Sequence, residues 1–321
     1  MIEVDPADER RHEPGPEPDW SEAWSFDFAT ADGSLGGYVE LCLHPRRGVA
    51  WYWAALAGPG RSFVTVVDHD APMPRPAGSL ELRAEGLWAD HTCETALDHW
   101  SLGNEAFAVG LDHPSEAYGR MLGERVPLGF DLEWETDGRA VGSVVPAGKP
   151  GPAGTYEVPC RVHGEVLVGV DRIDLDGYGQ RSHRWGVPGR CADRWTERWC
   201  RAVGRLDDGT RFGARVGAGP AGAPAASGYV IDTGGVLTSV EPKAPRERFG
   251  AGGLPLWSQI ELGPDGPVVE VRPLAAAPVL VGGAERPLSR LPRALCRFVA
   301  GDGRAGVGWT EWNQPLPSSR P

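Results

Sequence analysis

The sequence is poor in several features that would assign it to a familiar class. It has three methionines among 321 residues, and it contains no run of about 18 consecutive apolar residues, the length that a membrane-spanning helix needs. Lysine and arginine total 32 against 44 aspartates and glutamates, so the formal net charge is −12. This balance argues against a nucleic-acid backbone or an anionic membrane as a partner, since both require a basic face. We therefore expect no nucleic-acid partner and no membrane span.

Targeting and cysteine signals are also missing. Residues 1–6 contain neither a basic segment nor an apolar one, so nothing indicates a secretory leader and we expect a cytoplasmic protein. The six cysteines include no Cys-x-x-Cys pair, which argues against a disulfide framework or a structural zinc site. We expect reduced cysteines that pack as small apolar side chains.

Common catalytic motifs are absent as well. Neither Gly-x-Gly-x-x-Gly nor Gly-x-x-x-x-Gly-Lys occurs in a strand–helix–strand context, and Gly-x-Ser-x-Gly does not occur, which excludes a nucleotide fold and disfavours a serine hydrolase. A metal site could be assembled from His91, Cys93 and either His99 or His69, but these residues lack the tight spacing of zinc motifs. We expect no metal and no cofactor.

What the sequence has in quantity is glycine, proline and tryptophan: 45, 30 and 13 residues respectively. So many turn formers leave little room for long helices and favour short strands joined by turns. Hydrophobic residues make up 41% and charged residues 24%, as in an ordinary globular protein. We predict an all-β fold of two tandem antiparallel β-barrels or sandwiches with few short helices.

The chain divides by composition into three parts. Residues 1–19 are charged and rich in proline, which predicts an extended arm. Short strands then follow one another, with one short helix predicted near Pro114. Residues 142–154 are so rich in glycine and proline that we place a domain boundary there. The predicted domains are residues 20–150 and 151–316.

Acids and imidazoles concentrate in the segment 88–100. Because neighbouring residues of a strand point to opposite faces, an Asp-His dipeptide such as Asp90-His91 cannot pair with itself. An acid buried between Trp88 and Trp100 would have a raised pKa suited to a proton donor. The residues with candidate roles are Asp90, Glu94 and Asp98 as acids, and Trp88, His91 and Trp100 as ligand contacts. The alternative is that these are ordinary polar residues of turns and strand ends.

A second dense segment is Gly-Tyr-Gly-Gln-Arg-Ser-His-Arg-Trp-Gly at 177–186. His183 lies between two arginines, which disfavour its cationic form, so it is a candidate acid or base. Indole faces stabilise positive charge, and the candidate ligand contacts here are Arg181, Trp185, Trp195 and Trp199. The alternative is a structural junction in which Trp185 plugs a barrel end.

Residues 177–186 resemble the Gly-x-Gly-x-Arg-Asp-His-x-Trp-Gly signature of the superfamily that includes the carotenoid 1,2-hydratases, also called hydroxyneurosporene synthases. The chain is most similar to an uncharacterised actinobacterial branch. Supporting segments lie at 88–91, 98–100, 127–134 and 308–312. The resemblance implies two consecutive lipocalin-like (calycin) barrels with an apolar cavity. It also implies hydration of an unsaturated isoprenoid, or the polyene cyclisation carried out by fungal proteins of similar build.

The signature has aspartate where this chain has Ser182, so the carboxylate beside the histidine is missing. We expect an enzyme that hydrates or cyclises a hydrophobic unsaturated terpenoid or polyketide without a cofactor. Its proton donor would come from His183 or from the acids of segment 88–100. The alternative is a carrier that binds such a ligand without changing it. The oligomeric state is left open.

Overall fold

The computed structural model describes residues 4–145, 153–186, 195, 197–218, 224–264, 266–282 and 287–317. The fold is all-β, as predicted. The first eleven strands are β1 (Ser21–Thr30), β2 (Gly36–His44), β3 (Val49–Ala57), β4 (Phe63–Pro72), β5 (Leu82–Ala84), β6 (Leu87–Thr95), β7 (His99–Leu111), β8 (Glu124–Thr136), β9 (Val141–Val145), β10 (Ala153–Val168) and β11 (Asp171–Gly186). Single turns of 3₁₀ helix lie at Pro6–Glu9 and Pro114–Tyr118, the second where a short helix was predicted.

Eight of these strands close into an antiparallel barrel. Their order is β4-β3-β2-β1-β11-β10-β8-β7, and β4 pairs with β7 to complete the ring. Alternate residues point inward, so that Trp24, Phe26 and Phe28 of β1 enter one core with Trp134 and Phe130 of β8. A barrel of this size is just wide enough for side chains to fill its interior.

The second sheet is built from the rest of the chain. Its strands, and the short β19–β20 hairpin attached to it, are β12 (Trp199–Leu206), β13 (Arg211–Ala218), β14 (Pro224–Ile231), β15 (Leu237–Val240), β16 (Arg246–Phe249), β17 (Pro255–Glu261), β18 (Val268–Ala276), β19 (Val279–Val281), β20 (Ser289–Leu291), β21 (Arg293–Ala300) and β22 (Ala305–Pro315). The order is β15-β14-β13-β12-β22-β21-β18-β17-β16. This sheet curls around a core of its own that includes Phe212, Phe298 and Trp312.

The two barrels pack against each other through the outer faces of β1, β2 and β3. Every residue of β2 is buried, because one face enters the first core and the other contacts the second barrel. Tyr38 donates a hydrogen bond from its hydroxyl to the carbonyl of Ala277 (2.7 Å), and the indole of Trp309 donates to the carbonyl of Phe28 (2.8 Å). The contact between the barrels is therefore a packed layer with specific hydrogen bonds.

The passage between the sheets differs from the predicted boundary at 150/151. Strands β10 and β11 follow that boundary and belong to the first sheet, so the change of sheet falls between Gly186 and Trp199. The segment 142–154 instead joins β9 to β10, which pair with each other; residues 146–152 lie outside the described residues. Glycine and proline mark hairpin connections as readily as linkers, which explains the difference.

Five cysteines in the described part of the chain are free thiols, and Cys191 lies outside it. Among the residues that the structure describes, no helix has the length and apolarity to cross a membrane.

The N-terminal arm closes one end of the first barrel. Glu9 is fully inside, where its carboxylate pairs with the guanidinium of Arg181 and accepts hydrogen bonds from the indole of Trp100 (2.6 Å) and the main chain of Leu97 (3.2 Å). Val4 joins the same core. The arm is thus part of the folded barrel.

We predict that Glu9→Ala destabilises the protein by about 3–5 kcal/mol, because it leaves the buried Arg181 guanidinium without its counter-charge. Urea denaturation checks this value. The double variant Glu9→Leu/Arg181→Met should recover most of the loss, since it removes both charges. An equally unstable double variant would mean that the ion pair is not the source of the effect.

Candidate functional site

Five of the predicted site residues lie inside the first barrel. They are His91, Trp100, Arg181, His183 and Trp185, all of which are buried. Strand alternation explains the grouping on β11, where positions 181, 183 and 185 share the inward face. The inward-facing residues of segments 88–100 and 177–186 therefore lie in the same barrel interior.

His183 sits at the closed end of the barrel in a network with the arm. Its Nε2 lies 2.9 Å from Oε1 of Glu22, and its Nδ1 lies 2.8 Å from the carbonyl oxygen of Asp8. Nδ1 of His12 contacts the same Glu22 oxygen at 2.7 Å. The indoles of Trp24 and Trp185 stack on His183 and His12, with ring centroids 4.4 Å and 4.1 Å apart. We call His12, Glu22 and His183 the arm-side cluster.

Charges within the arm-side cluster stabilise one another. Burial alone would raise the pKa of Glu22, but hydrogen bonds from His12 and His183 outweigh it and the net shift is downward. Burial likewise opposes charging of His12, and the carboxylates of Glu22 and Asp8 outweigh it, so the pKa of His12 is raised. A buried polar network with its partners in place rigidifies the fold, which favours the structural alternative for segment 177–186.

The acids of segment 88–100 do not meet His183. Asp90 alternates with the inward His91 and therefore faces outward, while Glu94 and Asp98 are exposed in the β6–β7 turn region. Glu94 accepts a hydrogen bond from Ser101 (2.7 Å). Trp88 also faces outward, and its indole donates to Glu81 (3.0 Å). Strand alternation separates these side chains from the barrel interior, so we do not retain them in a site.

His91 is the exception within that segment. It lies in the centre of the barrel beside Phe26 and Tyr52, close to the main chain of Leu80. Burial lowers its pKa to about 4, which keeps the imidazole neutral. His99, in contrast, is on the outer surface with Glu133 (2.6 Å), so these two histidines cannot share a metal.

The opposite end of the first barrel is open. A cleft of about 530 Å³ lies there, in the size range of sites for small molecules. Its apolar walls are Leu56, Val64, Val126 and Val168, and its polar rim holds Arg61, Ser62, Asp112, His113, Glu116 and Glu124. Leu122 at the rim is 80% exposed, and Val170 in the neighbouring β10–β11 turn is 95% exposed. We call this cleft the barrel mouth.

A third polar region lies between the barrels. Arg293 approaches Glu311 (3.5 Å) and Glu40 (3.9 Å), and Arg201 pairs with Glu157 (2.7 Å). The predicted ligand contacts Trp195 and Trp199 lie in the apolar cluster of this interface. We call the region the inter-barrel layer.

Asp27 is the most perturbed acid of the inter-barrel layer. Burial raises its pKa to about 6, against the opposing effect of Arg201 and Arg293. The main chain of Gln180 donates to its carboxylate (3.1 Å). Asp27 borders a crevice of about 30 Å³, which has room for water and not for a drug-sized substrate.

Sequence reasoning missed Glu9, His12, Glu22 and Asp27. Glu9 and His12 belong to an arm whose composition indicates only an extended segment. Glu22 and Asp27 lie on opposite faces of one strand, and both faces are buried. Two acids inside a strand rich in aromatic residues were the available signal, because charge on both faces of a strand is rare unless each charge has a partner.

We predict that Asp27→Asn stabilises the protein at about pH 8 by roughly 2–3 kcal/mol and changes its stability little near pH 4. The pKa of Asp27 in the folded protein is raised from 3.8 to about 6. Ionisation of Asp27 therefore lowers the free energy of unfolding, and this loss develops as the pH rises from 3.8 through about 6. Asparagine keeps the acceptor for Gln180 without the charge. Thermal melts across pH check the difference, and an equal effect at both ends would exclude ionisation as its cause.

Comparison with solved structures shows what the fold is similar to. A candidate AttH protein of Nitrosomonas europaea superposes with a TM-score of 0.67 at 13% identity, over 98% of both chains. Kievitone hydratase of Nectria haematococca gives 0.58 at 11% identity, over 91% of this chain and 88% of that one. CghA gives 0.54 at 11% identity, over 95% and 90%. These similarities confirm the double-lipocalin fold.

A search of curated proteins finds no significant match to the sequence. The family model described as "Domain of unknown function (DUF7064)" matches residues 5–316, which is nearly the whole chain. The protein therefore belongs to the DUF7064 family.

Proposed function

We propose that the protein takes a hydrophobic, unsaturated small molecule into the barrel mouth and hydrates or cyclises it without a cofactor. The observation that carries this proposal is the asymmetry of the first barrel. One end is filled by the arm, whereas the other has a cleft of about 530 Å³ with apolar walls and a polar rim. Exposed Leu122 and Val170 at the open end favour the approach of an apolar ligand, because exposed apolar patches commonly mark ligand grooves.

The class of reaction is supported by similarity. Kievitone hydratase shares the fold and is a hydratase by name, and CghA has been crystallised with Sch210972. The signature at 177–186 points to the same group of proteins. A fold hosts several chemistries, so the reaction must be tested on this chain.

Hydration would add the elements of water across one carbon–carbon double bond. An acid gives a proton to one carbon, water bonds to the cation at the other, and that water then loses a proton, so no net proton is consumed. Asp112, Glu116, Glu124 and His113 surround the mouth and are the titratable groups that a seated substrate would meet. Cyclisation would need only a cleft that holds the reactive conformer.

One observation favours a carrier as the second candidate. Every acid and imidazole at the rim of the mouth is exposed, and catalytic acids are more often buried enough to have perturbed pKa values. A carrier needs the apolar cleft alone. The two candidates make different predictions for the fate of the ligand.

The fate of the ligand distinguishes the enzyme from the carrier. Ligand co-purified with the protein, or a panel of terpenoid and polyketide alkenes, is incubated with the protein in isotopically labelled water and analysed by mass spectrometry. A hydratase gives a product heavier by one labelled water, and a cyclase gives an isomer of unchanged mass. A ligand that binds and is recovered unaltered supports the carrier. Failure of every apolar compound to bind would contradict both candidates.

Filling the barrel mouth should block ligand binding. Val126→Trp should fill the cleft and weaken binding of a fluorescent apolar probe at least about 10-fold, since an indole occupies much of the space that the ligand would use. Its melting temperature should stay close to that of the native protein because the cleft is open. Val236→Trp, at an exposed position of the second barrel, is the matched control. Equal binding by both variants would place the ligand elsewhere.

A further inference from the structure

The arm-side cluster combines donor atoms that metals use in proteins. One ligand atom from each of His12, Glu22 and His183 lies within 4.8 Å of the other two, and Nδ1 of His12 and Nε2 of His183 are the ring nitrogens next to Glu22. Glu22 and His183 are buried, and His12 is about one-fifth exposed. Two imidazoles and one glutamate are a donor set found in zinc sites, with bonds of about 2.0–2.2 Å.

Hydrogen bonds outside the donor set fix the proton positions. Nδ1 of His183 faces the carbonyl oxygen of Asp8 at 2.8 Å, and because a carbonyl only accepts, this nitrogen carries the proton. Nε2 of His183 lies 2.9 Å from the Glu22 oxygen. A metal ion bound between these two atoms would replace their hydrogen bond, with Nε2 of the neutral ring as the ligand atom.

His12 is arranged in the same way. Its Nδ1 faces Glu22 at 2.7 Å, while its Nε2 faces the carboxylate of Asp8 at 3.4 Å. Asp8 therefore supports both imidazoles, one through its side chain and one through its main chain. Metal-bound histidines almost always donate a hydrogen bond from their second ring nitrogen to a carboxylate or to a backbone carbonyl. His12 faces the carboxylate of Asp8, and His183 faces its backbone carbonyl.

We propose that His12, Glu22 and His183 bind a divalent transition-metal ion of the zinc type, which fastens the N-terminal arm to the first barrel. A nitrogen-rich set with one carboxylate favours such ions over calcium or magnesium, which prefer oxygen ligands. The hydrogen-bonded atoms would separate by about half an ångström to reach tetrahedral spacing. His12 belongs to the arm, so a small shift of the arm would accommodate this change.

The site is separate from the proposed reaction. Glu22 begins the inward row of β1 and Phe28 ends it, about 20 Å further along the strand, close to Leu56 of the barrel mouth. The ion would act on the stability of the arm, and neither the reaction nor ligand binding at the mouth depends on it.

The test uses the full chain after treatment with a chelator. Zn²⁺ is titrated calorimetrically, and Co²⁺ is followed by its visible absorption, which reports tetrahedral coordination. We expect one equivalent of either ion, and a rise in melting temperature of about 5 °C when free Zn²⁺ is about 100 times its Kd. A native chain that binds neither ion, or gains no thermal stability from Zn²⁺, would overturn the proposal.

Variants locate the ion. His12→Gln should lose at least about 100-fold in affinity, and Asp8→Asn, which alters only the support, should lose about 10–100-fold. The matched control is His99→Gln, which removes a histidine from the surface pair with Glu133 and should leave the affinity unchanged. His12 lies on the arm, so its variant tests the site without altering a barrel strand. Unchanged Zn²⁺ affinity in His12→Gln would place the ion elsewhere and refute the assignment.

Discussion

The burial of β1, β2 and β3 on both faces is the constraint on which the rest of this structure depends. A strand that serves two cores at once cannot leave a polar face to water, so each polar residue on it needs a partner inside the protein. Glu40 lies near Arg293, and Asp27 near Arg201 and Arg293. Removing one partner of a buried ion pair such as that of Glu40 and Arg293 is costly whether or not the pair adds net stability, whereas burial of Asp27 outweighs the effect of its arginines and raises its pKa. The two barrels can therefore pack against each other only because the inter-barrel layer supplies partners for these buried polar residues.

The two ends of the first barrel differ in how they are closed. The arm supplies Glu9 to Arg181 and Trp100, which closes one end with charge and aromatic surface. The open end has apolar walls, with its titratable groups only at the rim. The proposed ligand site and the N-terminal arm are thus separated by the length of the barrel.

Strand content and the number of barrels could be predicted from the sequence, because turn formers and period-two alternation report local geometry directly. Alternation also determines which predicted site residues face the barrel interior, since it places His91 inside and Asp90 outside. The contact of Glu9 with Arg181 spans 172 residues, and no local pattern encodes it. The predicted domain boundary at 150/151 differs from the observed change of sheet for a related reason. A segment rich in glycine and proline has the same composition whether it joins two strands of one sheet or two domains.

The signature at 177–186 gains a different meaning from its position on β11. Arg181, His183 and Trp185 point into the barrel, whereas Ser182 points toward the second barrel, where Glu157 is its neighbour on β10. An aspartate at 182 would place a second carboxylate beside Glu157 in the inter-barrel layer, and the serine avoids that repulsion. A carboxylate at position 182 of this chain would therefore face away from His183. The substitution changes the charge of the contact between the barrels, so it says little about acid–base chemistry inside the first one.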